Sequence, residues 1–281
     1  MLLEKTKIYG VDGVGKSTPT LTRTDAAAGL SYARGVSEIT SDFDKCFPWC
    51  EMKEVVDEYG NVFIRIPKFY TKITKNDDGS YKHQISGCRY DGFGTLFVDG
   101  KGNELDYILV GKYEGSCDGS DYATAKMKSV SGATVKVNIT IGNYRKACRN
   151  NGEGYQQYDF LIDAIIKELF MIEFATTNSQ SVMQGWTNGE NTAALITGHT
   201  DLVKTASGSW NTNHVEDCAT CNTDGKHACK YRGIENPFGN VWKWCDGINF
   251  DTEKIYVCED PEYYADDKHL SLIHISEPTR R

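Results

Sequence analysis

Histidine is scarce: 6 copies occur in 281 residues. Four of them, His214, His227, His269 and His274, fall in loop-like sequence or at the far end. The side chain most often used to move protons near neutral pH is therefore thinly supplied. His83 and His199 are lone residues, on a predicted strand and in a Thr-Gly loop, and read as satisfied polar groups. Long apolar runs are missing as well. The greasiest stretch, 160–175, is interrupted by Asp163, Lys167, Glu168 and Glu173, whereas a bilayer-spanning helix needs about 20 nearly uninterrupted apolar residues. It predicts a core helix and no membrane insertion. The opening MLLEKTKIYG carries charge with no apolar segment behind it, which predicts a chain made and kept in the cytoplasm. Positive charge is the minority, 31 Lys and Arg against 39 Asp and Glu, for a net charge of −8. With no basic patch visible, such a surface repels phosphate backbones and anionic lipid, so nucleic acid is excluded as an expected partner. Ten cysteines are too sparse for a disulfide scaffold; in a cytoplasmic chain they are expected to stay reduced and mostly buried.

What is present describes a folded protein. Apolar residues make up 40%, and 16 Tyr are among the aromatics, which sets disorder aside. To about residue 112 the signals are strands and turns, with one short exception at Phe47 to Val56. Val62, Ile64 and Ile66 alternate with Phe63 and Arg65 as in a half-buried strand, and Pro67 predicts an edge position or a bulge. Asn76-Asp77-Asp78-Gly79 predicts a hairpin turn, Asp99 to Asn103 a second reversal, and Leu105 to Val110 a central strand. Past Ser131 the period becomes helical. Thr140 is placed to cap a helix over 141–150 that ends at Asn151-Gly152, and Asp159 one running to about Thr176. In the second, Asp159, Asp163 and Lys167 leave only a narrow wet stripe, so it must be packed on several sides. The stretch 181–231 reads as long surface loops, and the acid-rich 251–267 as a solvated segment.

Three motifs bear on chemistry. Gly10-Val11-Asp12-Gly13-Val14-Gly15-Lys16-Ser17 matches the phosphate-binding P-loop letter for letter. A P-loop must run into a helix, however, and here Pro19 and the β-branched run Thr20 to Thr24 follow, predicting a Gly-rich hairpin turn and no nucleotide site. Cys218, Cys221 and Cys229, with His214 and His227 nearby, have half the spacing of a zinc site; without a second pair, Cys218, Cys221, His227 and Cys229 remain weak metal candidates. Cys46 and Cys50 are assigned to packing. No nucleophile elbow, HExxH or paired carboxylates occur, so no cofactor and no catalytic residue is expected. The third motif is Tyr231 to Trp244. Gly239-Asn240 makes a reversal, and Val241-Trp242-Lys243-Trp244 alternates so that Trp242 and Trp244 share one face of a predicted strand and cover the long helix.

Asn236-Pro237-Phe238-Gly239-Asn240-Val241-Trp242-Lys243-Trp244 closely resembles the signature of the formylglycine-generating (sulfatase-modifying) group of C-type-lectin-like folds. The wider pattern resembles virion and tail-associated proteins of gut bacteriophages built on that fold. The likeness runs through Ile8 to Val11, Ser17 to Asp25, Phe47-Pro48-Trp49, Phe63 to Tyr70, Gly111-Lys112-Tyr113-Glu114 and Glu173 to Thr176. The last residues, Leu270 to Arg280, resemble the in-frame translation of a sequencing-library adapter, which implies a natural chain cut near Lys268 and an artefactual or disordered tail over 269–281.

The resemblance implies an α+β fold, with a β-rich part over 1–105 followed by an incomplete C-type-lectin-like domain over 106–268, in which Gly239, Asn240, Trp242 and Trp244 are the fold signature. It implies a tail-associated virion protein that binds other virion proteins and a bacterial surface ligand, and, since phage fibres and tips are often trimers, a homo-oligomer. The alternative is a sulfatase-modifying oxidase, whose catalytic thiols have no counterpart in this chain. Function of either kind lives in a site grafted on the fold.

Overall fold

The computed structural model describes residues 2–188, 193–210, 221–250 and 255–265. The fold is mixed, with antiparallel sheets set around one long buried helix. In a four-stranded sheet, Ile8–Val14 lies between Thr22–Asp25 and Tyr81–Ser86, and Tyr70–Lys75 forms the far edge. Tyr9 and Val11 alternate into the core. The pairing shifts register between Asp12 and Val14, where Gly13 takes φ 91°. The Gly10 to Ser17 tract is thus strand and turn, and the next regular element is a strand antiparallel to it, not a helix. Its Lys16 ammonium pairs with Asp78, in the turn of the adjacent hairpin, at 2.9 Å. The hairpin Tyr70–Lys75/Tyr81–Ser86 turns where Gly79 supplies φ 84°, as its Asp-Gly sequence predicts.

A three-stranded sheet places Val62–Pro67 between Lys53–Val56 and Tyr107–Gly111. This corrects two expectations. The Pro67 strand is central, and the proline is tolerated because Lys68 donates to Asp106 toward the Tyr107–Gly111 side, so Pro67 turns its nitrogen the other way. There the neighbouring strand has already ended at Lys53, opposite Arg65. Conversely, the apolar run ending at Val110 is the edge strand, with Tyr107 and Leu109 exposed. Only Trp49–Glu51 of the 47–56 stretch is helical, a single tight turn before the Lys53–Val56 strand.

The third sheet runs Ile234–Glu235, Ala228–Tyr231, Ser207–Trp210, Glu38–Ser41, Tyr32–Arg34. It joins strands from both sides of the boundary read at 105, and the main core likewise combines Tyr9, Ile66 and Ile85 with Ile165, Leu169 and Tyr231. It also corrects the reading of 181–231 as surface loop, since Val182, Met183, Val203 and all four residues of Ala228–Tyr231 are buried. The acid-rich stretch is likewise not simply solvated. Ile255–Val257 pairs with Ile248–Phe250, Cys258 and Tyr264 are buried, and the Tyr264 hydroxyl donates to Asp159 at 3.1 Å. Residues 251–254 and 266–281, with the tail, lie outside the described residues.

Two helices follow their caps. Thr140 accepts from the Asn143 amide to open Ile141–Arg149, and Asp159 from the Ile162 amide to open Phe160–Phe174. The latter ends on Ala175 in the left-handed region, φ 52°. No helix among the described residues is long and apolar enough to cross a membrane.

The cover of the long helix differs from the expected one. Val241 to Trp244 is irregular, Trp242 is fully exposed and Trp244 is 47% exposed. The rings that close on the helix are Tyr231 and Phe238, from the same segment, 5.1 and 6.1 Å from Phe170, with Tyr32 on the other side 4.9 Å from Phe174. Strict alternation predicted the Trp pair inward, but left-handed residues at Asn236, Gly239 and Asn240 turn the chain away before a strand can form. A truncation of Leu169, fully buried on this helix, is expected to cost about 2–5 kcal/mol as Leu169→Ala, whereas Trp242→Ala changes stability by less than about 0.5 kcal/mol. Urea unfolding of both variants checks this; a Trp242→Ala cost above that of Leu169→Ala contradicts the packing.

Candidate functional site

A cavity of about 830 Å³ opens beside the three-stranded sheet. Its walls come from the edge strand and the residues after it (Val110 to Gly115), from Met127 to Ser129, from the loop between the two helices (Tyr155 to Tyr158) and from Ile234 to Trp244. This size suits a small organic ligand.

Glu114, 8% exposed, is the charged centre of the wall. It accepts hydrogen bonds from the side-chain amides of Asn236 (3.1 Å) and Asn240, and from the Lys243 ammonium at 2.8 Å. The sequence folds this way for local reasons. Asn236 and Asn240 take φ 45° and 61°, a conformation asparagine tolerates better than most side chains. Asn236 donates its backbone N–H to Cys229 O and accepts from the Cys229 amide, and Asn240 does the same with Trp186 O and the Leu195 amide. Between them Gly239 has φ 79°, and a Cβ there would meet the Trp186 nitrogen at 3.0 Å. The signature residues Gly239 and Asn240 therefore build the turn that delivers Glu114 its donors. Trp244 donates its indole N–H to Ile139 O at 3.0 Å, while Trp242 stands free in solvent; both line the cavity. Two more wall residues carry unmet hydrogen-bonding capacity. Gln157, 1% exposed, has neither its amide nitrogen nor its oxygen in a hydrogen bond, and buried Asn151 leaves Oδ1 unpaired. The Asn151 nitrogen is committed to the carbonyls of Met127 and Cys148.

Among the described residues the metal candidates do not assemble. Cys221 is disulfide-bonded, so its sulfur is no thiolate, which also corrects the expectation of uniformly reduced cysteines. Cys218 lies outside the described residues. His227 Nδ1 is 2.9 Å from an Asp224 oxygen. Cys229 is fully buried, and burial pushes its thiol up to about 12. Among the described residues no group of three or more His, Cys, Asp or Glu could hold a metal ion. Burial likewise pushes Cys148 to about 12 and Cys245 to about 11, so these are protonated thiols and poor nucleophiles near neutral pH. Cys50, assigned to packing, is exposed, unlike Cys46.

His83 is the satisfied polar group that the sequence suggested, and sequence reasoning passed over the other charged groups buried here. His83 Nδ1 lies 2.6 Å from Glu168. Arg145 forks onto Asp246 at 2.6 and 2.7 Å. Lys230, which burial pushes down to about 8, donates to Val203 O at 2.6 Å. Glu168, inside the apolar run of the long helix, was the one available signal; His83, Arg145 and Lys230 stand among polar neighbours.

Fold and site together define a mixed α+β protein with an aromatic-rimmed, amide-walled cavity. Compared with known families and with curated proteins, the chain matches none. Maleimide labelling of the native protein near neutral pH is expected to modify Cys50 first and to leave Cys46, Cys148, Cys229 and Cys258 unlabelled until denaturant is added, as read by peptide mass spectrometry. Native labelling of Cys229 as fast as Cys50 contradicts the buried, protonated assignment.

Proposed function

We propose that this chain is a structural protein of a bacteriophage particle, associated with the tail, that binds a bacterial surface ligand through the cavity face, and that its fold is of the C-type-lectin-like group. The observation that carries the reading is spatial. Segments that resemble the family in sequence, far apart along the chain, meet one another. Tyr9 packs edge-on to Trp49 at 5.5 Å, and Trp49 and Glu173 are joined through Tyr231 and Arg232, which stand just before the resembling Asn236 to Trp244 run. Asn236 and Asn240 hold Glu114. The exposed Trp242 beside the cavity suits recognition, because an aromatic ring supplies large contact area at low entropic cost. Partnership with other virion proteins and a homo-oligomeric arrangement belong to the same proposal.

Among the described residues no observation favours the sulfatase-modifying oxidase, whose catalytic thiols have no counterpart in this chain. The test of the binding reading is incubation of the fluorescently labelled chain with a panel of gut bacterial isolates, read by flow cytometry. Saturable binding to a subset of strains, competed by unlabelled protein and weakened about tenfold or more by Trp242→Ala, is expected. Absence of binding across the panel, or binding indifferent to Trp242→Ala, contradicts it.

A further inference from the structure

Folded proteins shield the edges of their sheets against pairing with another chain by charge, proline, bulges or sheer shortness. Most edges here are shielded in that way. In the four-stranded sheet one edge strand carries Arg23 and Asp25 and the other Lys72 and Lys75, and in the three-stranded sheet the Lys53–Val56 edge carries Lys53 and Glu54. The edge strands of the third sheet are only two and three residues long. Tyr107–Gly111, the remaining edge of the three-stranded sheet, is the exception. Its five residues include no charge and no proline, and its pairing with Val62–Pro67 runs without a register shift. Alternation along the strand decides which backbone groups are left open. The Lys68 amide donates to Asp106 O and the Lys112 amide to Val62 O, so the even-numbered residues turn toward the neighbouring strand. Tyr107, Leu109 and Gly111 turn the other way, and among the described residues no hydrogen bond reaches their N–H or C=O groups. Tyr107 and Leu109 are 45% and 39% exposed, so this line faces solvent.

The open line is its own complement. Turned end for end about Leu109, the strand sets Leu109 against Leu109 of a second copy, and Tyr107 against Gly111, the largest side chain of the five against none. Each of these is a hydrogen-bonded pair, because the open residues of one copy face the open residues of the other. The ends agree as well. Asp106 and Lys112 flank the strand, so the reversal sets unlike charges opposite each other at both ends. The Asp106 side chain is 88% exposed, while Lys112 also holds Glu54 and Asp201 of its own chain. A contact that pairs a segment with itself about a two-fold axis closes at two copies. From this self-complementarity we infer that Tyr107–Gly111 pairs antiparallel with the same strand of a second copy of this chain, joining the two three-stranded sheets into one continuous sheet across a two-fold dimer. This dimer deepens the reading above by giving its homo-oligomer a stoichiometry and a contact, and it needs no cell-surface ligand.

The experiment is sedimentation equilibrium of the whole chain over protein concentrations from micromolar to submillimolar, where a reversible monomer–dimer equilibrium is expected. Leu109→Lys sets two ammonium groups side by side on the axis, at a position exposed in the single chain, and should weaken the dimer about tenfold or more with the circular dichroism spectrum unchanged. Val56→Lys, exposed on the opposite edge strand of the same sheet, should leave it as it is. Hydrogen exchange of the parent chain needs no variant and decides the matter if Leu109→Lys does not fold: the amides of Tyr107, Leu109 and Gly111 should be protected at high concentration and exposed on dilution. A chain that stays monomeric throughout, a trimer, a dimer indifferent to Leu109→Lys or equally weakened by Val56→Lys, or a dimer in which those amides exchange freely overturns the inference. Dimerisation without cell binding removes the adhesion reading and leaves the strand pairing standing; cell binding by a chain that never dimerises does the reverse.

Discussion

A carboxylate with no exposure, Glu173, sits in the last turn of the long helix and is answered by Arg232. The guanidinium reaches both carboxylate oxygens, Nε at 2.9 Å, and its remaining arm pairs with Asp44 at 2.6 Å. The Tyr231 hydroxyl adds a donor at 3.1 Å. An isolated charge so buried would be prohibitive, so the helix end, the hairpin after Ala228–Tyr231 and the turn Asp42–Lys45 must arrive together. Arg232 takes φ 50° to do so, and its amide is held by Ser207 Oγ at 3.1 Å. Arg23 closes the other side by donating to the carbonyls of Ile172 and Glu173, which satisfies helix-end acceptors and favours the negative pole of the helix.

The cavity depends on this clamp. The segment that supplies Tyr231 and Arg232 to the helix continues directly into Asn236, Asn240 and Lys243 around Glu114. One turn sequence thereby serves two faces, packing Phe238 inward and leaving Trp242 outward. An acidic protein obtains in this way a concave surface on which Glu114 is paired by two amides and an ammonium, beside an exposed aromatic ring.

Local chemistry was legible in the sequence. The Asn76 to Gly79 hairpin, the Thr140 and Asp159 caps, the girdle of the long helix and the strand, not helix, that comes after the Gly10 to Ser17 tract all follow from interactions within a few residues. Failures came where a distant partner decided the outcome. Pro67 fits in a central strand because its neighbour strand stops two residues short and leaves the proline nitrogen a locally open side. Trp242 and Trp244 miss the core because their orientation is set by left-handed turns at Asn236 and Asn240, which alternation does not encode. The polar stretch 181–231 holds two core strands because Ser, Gly and Lys can be buried when their polar atoms are paired, as Lys230 is. The buried amides Gln157 and Asn151 stood in a plain turn sequence; only the convergence of separate segments brings them to one cavity wall.

The central claim is that the buried Glu173–Arg232 pair ties helix to sheet, and a double-mutant cycle addresses it most directly. By urea unfolding, Arg232→Met alone should cost about 3–5 kcal/mol, because it strands a buried carboxylate, and adding Glu173→Leu should recover most of that loss. An Arg232→Met variant within about 1 kcal/mol of the parent, or a double variant in which the two losses simply add, would contradict the account.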